Sequence, residues 1–402
     1  MQADKIGERF RSSATISATH MRAVVYFAPK NIQFQDNYPE PTIKSGTDVK
    51  LKVHYCGICG SDLHEYQSGP TFFAKEGENH AISNKPYPHV MGHEMSAEVV
   101  EIGADVADFK VGDSVVVEVT GTCLDRDRFE DSPTAGEEKC AACQDGHYNM
   151  CKYLGLTGLG FSDGGFAEYV VTNASKLVKF DSEKIPYDVA ALIQPLAVSW
   201  HAVRTSNFKA GSSALVLGGG PIGLTTILAL KGHGASKIVV SEPSAGRRAI
   251  AEKLGVETFD PLSMPHEQTM ETLRLLAPDK QGFHYSYDCA GTQSTFDGSI
   301  RSLRVRGVAT NVAVWAHKPI NYFPMIATWS EIWLRGSICF VKQDFEEVAR
   351  ALEEGRIELK DLEMLITAKI SLERAVTDGF DELLRDKEKH IKMLFSPLVK
   401  DT

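Results

Sequence analysis

The sequence has no long hydrophobic run, no excess of basic residues and too few cysteines for a fold held together by disulfides. No apolar segment approaches the roughly 20 residues that span a bilayer, so we expect no membrane partner. A net charge of −10 over 402 residues argues against nucleic acid as a partner, because phosphate binding needs a basic surface. Eight cysteines in so long a chain predict reduced or metal-bound thiols in the cytoplasm.

The first twenty residues look like an extension of a folded domain. They contain Arg9, Arg11 and several Ser and Thr, but no apolar core of the kind found in secretory signals. A mitochondrial leader is the alternative, and Asp4 and Glu8 weigh against it. We therefore expect a terminal tail on a cytoplasmic protein.

The chain is long enough for two domains, and its first part has the pattern of strands. Short β-branched and aromatic segments separated by Pro and Gly follow the extension, among them Arg22–Phe27 and Val49–Tyr55. This pattern is typical of a mostly β, barrel-like domain. The polar stretch Glu65–Tyr87 interrupts it, and we expect a long loop there.

A thiol, a hydroxyl, a carboxylate and an imidazole lie close together in Cys59–His64, and Gly92–Glu94 follows about thirty residues later. A soft thiolate, an imidazole and a carboxylate from separate segments suit a zinc ion with an open coordination position. The sequence therefore predicts a catalytic zinc site with Cys59, His93 and Glu94 as candidate ligands.

Two other interpretations of these residues stay open. Cys59 and His93, each considered alone, are compatible with ordinary packed or surface residues. Cys56 and Cys59 are also compatible with a redox pair, because two intervening residues separate them as in known dithiol motifs.

A second cysteine cluster predicts a structural metal site. Cys140, Cys143 and Cys151 follow one another closely, and Cys123 lies upstream across a polar insertion. Four thiolates close a tetrahedral zinc site and leave no open position. The long insertion adds little cost, because loop entropy grows only logarithmically with length. Cys123 or Glu137 is the fourth ligand, and scattered reduced thiols are the alternative.

From Lys209 the chain alternates strands and helices. The buried-strand run Ser213–Leu217 is followed at once by the glycine-rich Gly218–Gly223, and Leu224–Lys231 continues as a helix. In this context the glycines predict a dinucleotide site, where the backbone approaches a pyrophosphate at the N-terminus of the helix. The candidate cofactor-binding residues of this turn are Gly218, Gly220, Ile222 and Gly223.

The next strand ends in Glu242, which selects between the two nicotinamide dinucleotides. Its carboxylate can accept hydrogen bonds from the ribose hydroxyls of NAD, whereas the 2′-phosphate of NADP would meet a like charge. The sequence therefore predicts NAD. Arg247, a further candidate cofactor residue, and Arg248 keep NADP open, because Arg accommodates that phosphate.

The rest of the chain predicts more strands and two amphipathic helices. Tyr285–Cys289 and Gly307–Val314 are expected to be strands that end at the ligand-binding edge of a doubly wound sheet. Asp344–Arg356 and Leu372–Arg385 have helical periodicity. A final strand is expected at Ile391–Phe395.

These motifs resemble those of the zinc-dependent medium-chain alcohol and polyol dehydrogenases, from about Met21 to the C-terminus. The resemblance rests on Cys59–His64, Gly92–Glu94, the lobe of Cys140, Cys143 and Cys151, and Gly218–Gly223. Within this family the chain is most similar to the fungal (R,R)-2,3-butanediol dehydrogenases. The segments that indicate this are Ser61–Tyr66 with the loop after it, Gly92–Ser96, the displaced Cys123, Ile238–Glu242 and Asn311–Trp315.

The resemblance implies an α/β fold, in which a Rossmann doubly wound parallel sheet is inserted into a split, mostly β GroES-like catalytic domain. We expect residues 1–20 to be the extension, 21–198 and 338–402 the catalytic domain, and 199–337 the NAD-binding domain. The resemblance also implies a homodimer or homotetramer.

The implied activity is an NAD-linked exchange of hydride with a secondary alcohol, with (R,R)-2,3-butanediol and acetoin as the expected pair. A polyol or sugar dehydrogenase, acting on sorbitol, xylitol or glucose, is the alternative enzyme. A non-catalytic NAD-binding protein on an inherited fold is the alternative of another class, although such a protein would be free to lose Cys59, Ser61, His64 or His93.

The family's proton relay implies roles for several side chains. Ser61 would take the proton of the alcohol and pass it through the cofactor ribose to His64 and solvent. Asp62 would orient a zinc-bound imidazole. Lys392 matches a basic position of the family and is expected at the pyrophosphate, with a surface lysine as the alternative.

Gln194 is the departure from the family that lies closest to the chemistry. It stands where polyol-dehydrogenase relatives usually have Glu, and it still offers a carbonyl oxygen to zinc or its water. The missing negative charge would make the ion a stronger Lewis acid. Either Glu94 or Gln194 completes the ligand set. Similar glucose dehydrogenases have Gln here, which keeps a sugar substrate open.

Overall fold

The computed structural model describes residues 19–75, 77–315 and 319–400. The predicted N-terminal extension lies outside the described residues except at its end, where His20 begins the first strand instead of ending a tail. Within these ranges no helix combines the length and the apolar character that a bilayer crossing requires. The cytoplasmic location stays a prediction.

The first part of the chain is mostly β, as predicted, and the β-branched segments of its strands are largely buried. Its strands are β1 (His20–Ala28), β2 (Asn31–Pro39), β3 (Asp48–Gly57), β4 (His89–Val90), β5 (Glu94–Ile102), β6 (Ser114–Val117), β7 (Thr120–Gly121), β8 (Gly155–Thr157), β9 (Gly160–Ser162), β10 (Tyr169–Asn173) and β11 (Leu177–Lys179). Its helices are α1 (Gly60–Ser68), α2 (Ala141–Gln144), α3 (Tyr187–Ala190) and α4 (Ile193–Thr205).

A parallel sheet with helices on its faces follows. Its strands are β12 (Ser213–Leu217), β13 (Lys237–Ser241), β14 (Glu257–Phe259), β15 (Phe283–Asp288), β16 (Leu303–Asn311) and β17 (Trp333–Gly336). The helices are α5 (Pro221–Gly232), α6 (Ala245–Lys253), α7 (His266–Leu275), α8 (Gln293–Arg301) and α9 (Met325–Ser330). The spatial order is β14-β13-β12-β15-β16-β17, with every pair parallel. Counted within the sheet, this is the order 3-2-1-4-5-6 of a dinucleotide-binding fold, which confirms the predicted doubly wound sheet.

The C-terminal part returns to the first sheet. It contains α10 (Lys342–Glu353), α11 (Leu359–Glu363), β18 (Ile366–Ser371), α12 (Asp381–Arg385) and β19 (Lys392–Ser396). β19 pairs antiparallel with β3 and parallel with β18. The chain therefore leaves the β domain, forms the parallel sheet and comes back, as the split-domain prediction requires; the exact boundaries stay a prediction.

Three details of the sequence prediction were wrong. The expected loop at Glu65–Tyr87 begins with the last turn of α1. The expected helix at Leu372–Arg385 is a 3-10 turn and a π-helical turn before α12. Gly379 of that segment packs against the ring of Phe395, where a Cβ would come within 2.5 Å. The sequence interpretation also missed β18, which has a half-exposed pattern.

Candidate active site

Cys59 lies at the N-terminus of a helix, immediately after a central strand. β3 ends at Gly57, and Cys59 is the N-cap residue of α1. Its backbone N–H donates to Asp62 Oδ2 at 2.8 Å, which is the carboxylate half of a capping box. The turn therefore holds the Cys59 thiol and the fully buried Asp62 in one orientation.

His93 reaches the same place from a glycine turn. Gly92 has φ +96°, a conformation that side chains rarely tolerate, and a Cβ there would lie 2.4 Å from the Phe166 ring. β5 begins directly after His93, at Glu94. The ligand atoms of Cys59, His93 and Glu94 all lie within 4.8 Å of one another. The structure thus brings together the three residues predicted as ligands.

The imidazole of His93 is held on both sides. Its Nδ1 lies 3.3 Å from Asp62 Oδ1, and its Nε2 lies 3.3 Å from Ser61 Oγ. Burial by itself would lower the pKa of His93, but the negative charges of Asp62 and Cys59 raise it well above its ordinary value. A buried, negatively charged environment of this kind favours a cation, so the donor set fits a zinc ion.

Glu94 is paired with a lysine from the end of the chain. Lys392 Nζ donates to both carboxylate oxygens, at 2.7 and 2.6 Å, and also to the Ile58 carbonyl at 3.2 Å. Burial alone would lower the pKa of Lys392, but the charge of Glu94 raises it above its ordinary value. The alternative of a surface lysine is wrong, because Lys392 is only 5% exposed.

Gly57 makes this pairing possible. β3 lies between β5 and β19, and Gly57 is in register with Glu94 on one side and with Leu394 on the other. A Cβ at position 57 would lie 2.2 Å from Glu94 Oε2 and 3.3 Å from the Lys392 side chain. No local pattern in the sequence predicts this contact, because the paired residues are 298 positions apart.

The other candidate residues of this site are less closely connected. His64 is exposed, and its Nδ1 lies 3.3 Å from Thr71 Oγ1. In the part of the chain that the structure describes, no direct hydrogen bond joins His64 to Ser61. Gln194 is buried in the first turn of α4, at 5% exposure. The relay and the choice between Glu94 and Gln194 therefore stay predictions.

The four cysteines of the second cluster come together. The sulfurs of Cys123, Cys140, Cys143 and Cys151 lie within 4.8 Å of one another. All eight cysteines, including Cys56 and Cys59, are free of disulfide bonds. Four converging sulfurs with no other donor among them fit a closed tetrahedral zinc site. We call this region, from Cys123 to Cys151, the four-cysteine lobe.

Backbone amides of the lobe donate to the sulfurs. Cys123 N–H and Tyr153 N–H donate to Cys151 Sγ at 3.3 and 3.4 Å, and Cys140 N–H donates to Cys123 Sγ at 3.4 Å. The amide of Lys152 is the main cause that lowers the pKa of Cys140 to about 6, which favours the thiolate that metals bind.

Glu137, the alternative fourth ligand, has other partners. Its carboxylate accepts from the Tyr153 hydroxyl at 2.7 Å and lies 3.7 Å from Arg126. Cys123 occupies the fourth position beside the other three sulfurs. This arrangement supports Cys123 as the fourth ligand.

The glycine-rich turn lies between β12 and α5, as predicted. A Cβ on Gly223 would lie 1.9 Å from the Gly218 carbonyl, so Gly223 permits the close approach of helix and strand. A Cβ on Gly220 would have the Arg247 guanidinium as its nearest neighbour, 4.0 Å away. The space beside Gly220 is therefore open to a ligand at the helix N-terminus, which fits a pyrophosphate. Ile222 is half-buried in the first turn of α5.

Glu242 is fixed at the carboxyl end of β13. Its carboxylate accepts from Gly219 N–H at 2.5 Å and from Ser244 N–H at 2.8 Å. Arg248 donates to the carbonyls of Glu242 and Pro243 and lies 3.3 Å from Asp260. Arg248, one of the two arginines that could accommodate a 2′-phosphate, therefore already has partners, whereas the Glu242 carboxylate borders the glycine turn.

Comparison with protein families matches two parts of the chain. Residues 45–182 match the alcohol dehydrogenase GroES-like domain, and residues 221–354 match the zinc-binding dehydrogenase family. The first match contains the seven proposed metal-ligand positions from Cys59 to Cys151. The second begins in the glycine-rich turn.

Similar proteins cover nearly the whole chain. Two are from Saccharomyces cerevisiae: an (R,R)-butanediol dehydrogenase, 49% identical over 94% of this chain and 98% of its own, and a probable (R)-acetoin-forming diacetyl reductase, 47% identical over 94% of this chain and 90% of its own. The crystal structure of 2R,3R-butanediol dehydrogenase from Bacillus subtilis superposes with a TM-score of 0.82 at 33% identity, covering 94% of this chain and 99% of that one.

Proposed function

Because the chain belongs to the zinc-binding medium-chain dehydrogenases, we propose that it transfers a hydride between NAD and (R,R)-2,3-butanediol. Oxidation of one alcohol group gives acetoin, NADH and a proton. The observation that supports this most is the Cys59–His93–Glu94 group, which brings three donors of different chemistry together, with His93 and Glu94 buried and Cys59 half-buried. The similarity to butanediol dehydrogenases supports the substrate.

Cys59 and His93 would hold the catalytic zinc ion, with Glu94 or Gln194 as the remaining protein ligand. Such an ion supplies Lewis acidity, which lowers the pKa of an alcohol so that it loses its proton near neutral pH. Asp62 keeps the imidazole of His93 in a single orientation from its Nδ1 side. The Nε2 side is left to face Ser61 and the thiol.

Ser61 is placed to receive the proton of the substrate. Its hydroxyl lies beside His93 Nε2 at the edge of the metal group. His64, one turn further along α1, is exposed and can release a proton to water. We propose that the proton leaves by Ser61, the cofactor ribose and His64 in turn, as the resemblance implies.

The ion pair with Glu94 supports a role for Lys392 at that carboxylate, and its contact with the pyrophosphate stays a prediction. Both oxygens of Glu94 accept from its ammonium group, and the pair is almost completely buried. We propose that the ion pair with Lys392 limits how strongly Glu94 acts as a ligand. Gln194, a neutral donor, would then contribute to the ligand set of the catalytic zinc ion.

NAD is the proposed cofactor, with Glu242 at the adenosine ribose and Gly218, Gly220, Ile222, Gly223 and Arg247 around the pyrophosphate. NAD supplies the carbon that accepts the hydride, and the protein positions it. The fixed carboxylate of Glu242 would repel a 2′-phosphate. We expect kcat/KM with NAD to exceed that with NADP by about a hundredfold, since like charges placed together cost several kcal/mol.

The test is a zinc-replete assay of NADH formation with each stereoisomer of 2,3-butanediol, and of NADH consumption with acetoin. We expect the (R,R) isomer to give the highest kcat/KM. Sorbitol, xylitol and glucose are assayed in parallel, and a higher kcat/KM with any of them would replace butanediol with that sugar or polyol. Binding of NADH without turnover of any alcohol would indicate the non-catalytic alternative.

We also propose that the chain forms a homodimer through the edge of the parallel sheet. β17 is the last strand in the sheet order, and Trp329, Trp333 and Leu334 around it are 84%, 58% and 43% exposed. An unprotected apolar edge strand favours pairing with a second copy. Light scattering is expected to give twice the chain mass, and Leu334→Lys is expected to give a monomer. Four times the chain mass would indicate the tetramer.

A further inference from the structure

The four-cysteine lobe contacts a segment that follows the last strand of the parallel sheet. The two residues involved, Tyr148 and Asn149, lie just before Cys151 in a 3-10 turn. Asn149 Nδ2 donates to the Ile338 carbonyl at 2.9 Å, and the Tyr148 hydroxyl accepts from Lys342 N–H at 2.6 Å. Asn149 is 4% exposed, so water does not compete for this contact.

The residue between these two contacts has a strained backbone. Cys339 has φ +52°, in the left-handed region that is uncommon for residues other than glycine. Such a conformation persists only where the surroundings hold it in place. Here Ile338 is held by Asn149, and Val341 N–H donates to Asp344 Oδ2 at 2.8 Å.

The same segment borders the reaction cleft. It follows the carboxyl end of β17, which is the edge of the sheet where dinucleotides bind. Burial is the main cause that raises the pKa of the Cys339 thiol to about 11, with smaller contributions from the negative charges of Glu118 and Cys59.

A buried polar cluster connects the contact of Asn149 with Ile338 to the helices between the domains. Asn149 Nδ2 lies 3.4 Å from His201 Nε2, and His201 Nδ1 lies 2.8 Å from Asp344 Oδ2. Arg204 Nε donates to Asp344 Oδ1 at 2.7 Å. Burial by itself would raise the pKa of Asp344, but His201 and Arg204 lower it, so the carboxylate stays charged. Separating the charged, fully buried Asp344 carboxylate from His201 and Arg204 would be costly, so this cluster keeps its geometry.

We propose that Asn149 is a positioning residue, which transmits the geometry of the four-cysteine lobe to the segment 337–341 at the reaction cleft. The lobe then controls turnover as well as stability. The activity readout of this proposal rests on the proposed function, but its structural readouts do not.

The test compares Asn149→Ala and Tyr148→Phe with two controls from the same lobe. Met150→Ala changes the exposed neighbour of Asn149. Thr134→Ala removes a hydroxyl that donates to the Ala81 carbonyl and accepts from Arg126, so it weakens the lobe without contact to Ile338. Each variant is measured for zinc content, thermal unfolding, NADH affinity, kcat, and hydrogen exchange of the peptide 337–343.

In Asn149→Ala we expect kcat to fall about ten- to a hundredfold, because small displacements at a reacting site have effects of this size. The NADH dissociation constant should rise about fivefold, which is the loss expected for one hydrogen bond. Peptide 337–343 should exchange faster while both zinc ions remain bound. Tyr148→Phe keeps the ring and should give a smaller change in the same direction. Thr134→Ala should lower the unfolding temperature and leave kcat within twofold.

The proposal is overturned if Asn149→Ala lowers only the unfolding temperature, with exchange of peptide 337–343 and NADH affinity unchanged. It is also overturned if Thr134→Ala lowers kcat as much as Asn149→Ala does. If Asn149→Ala does not fold, Tyr148→Phe decides by the same criteria. Failure of the proposed function has a different signature, because the unmodified protein would then oxidise none of the alcohols while exchange and NADH affinity could still be compared.

Discussion

The two sulfur-containing groups of this protein differ in how the chain completes them. The four-cysteine lobe takes all its donors from residues 123–151, and backbone amides of the same stretch donate to the sulfurs. The group of Cys59, His93 and Glu94 takes its donors from two segments. One of these donors, Glu94, is paired with Lys392 near the end of the chain. The first group has four like donors, whereas the second has three unlike donors.

This difference supports a structural role for the first group and a catalytic role for the second. Four thiolates leave no position for a substrate, so such a site acts through the geometry of its lobe. Three protein donors leave one position free, and a buried carboxylate–ammonium pair beside it adjusts the local charge. If this comparison is right, variants in the two groups should affect different observables.

The largest effect is expected for Cys59→Ala, which removes the thiolate of the open group. Turnover should fall by about a thousandfold or more, equivalent to about 4 kcal/mol of transition-state stabilisation. NADH affinity and the unfolding temperature should change little. Cys56→Ala is the control, because Cys56 is a buried free thiol outside the group. Unchanged turnover in Cys59→Ala would exclude the zinc mechanism, and lost turnover in Cys56→Ala would revive the redox pair.

Cys143→Ser should have its main effect on stability. Opening the closed group is expected to cost about 4 kcal/mol of unfolding free energy, because loss of a structural metal is among the changes with large effects on stability. Denaturant unfolding and the zinc content per chain are the measurements, and the content should fall from two ions to one. A variant that kept two ions and full stability would contradict a structural metal in the lobe.

Lys392→Met should destabilise the protein by about 3 kcal/mol, because it leaves the Glu94 carboxylate buried without its partner. Urea unfolding measures the change. Lys389→Met, which removes an exposed lysine three residues away, should change stability by less than about 0.5 kcal/mol. Equal midpoints for the two variants would show that the buried pair does not contribute to stability.

The smallest effect is expected for Asp62→Asn, which keeps the shape of the side chain that faces His93 Nδ1. Substitution of a residue that orients a metal ligand typically changes metal affinity or activity by about ten- to a hundredfold. Zinc affinity by competition with a chelator, together with kcat, measures the loss. Asp108→Asn is the surface control. An effect as large as that of Cys59→Ala would make Asp62 a direct participant instead of an orienting residue.

Much of this site could be predicted because its signals are local. The glycine turn Gly218–Gly223 between a strand and a helix requires only neighbouring residues to be recognised, and the structure has it in that place. Cys140, Cys143 and Cys151 lie within one short stretch, so their convergence follows from spacing. The role of Lys392 could not be predicted in this way, because its partner Glu94 approaches only when β19 joins β3.

The sequence by itself indicated the candidate donors, the order of strands and helices that makes a dinucleotide fold, and the family. Periodicity and motif spacing depend on residues close in the chain, so they can be recognised without knowledge of the fold. Only the tertiary structure decided that Cys123 and not Glu137 stands with the other sulfurs, that Lys392 faces Glu94, and that Asn149 contacts Ile338. These contacts join residues far apart in sequence, and which distant residues meet is set by how sheets and helices pack around a shared core.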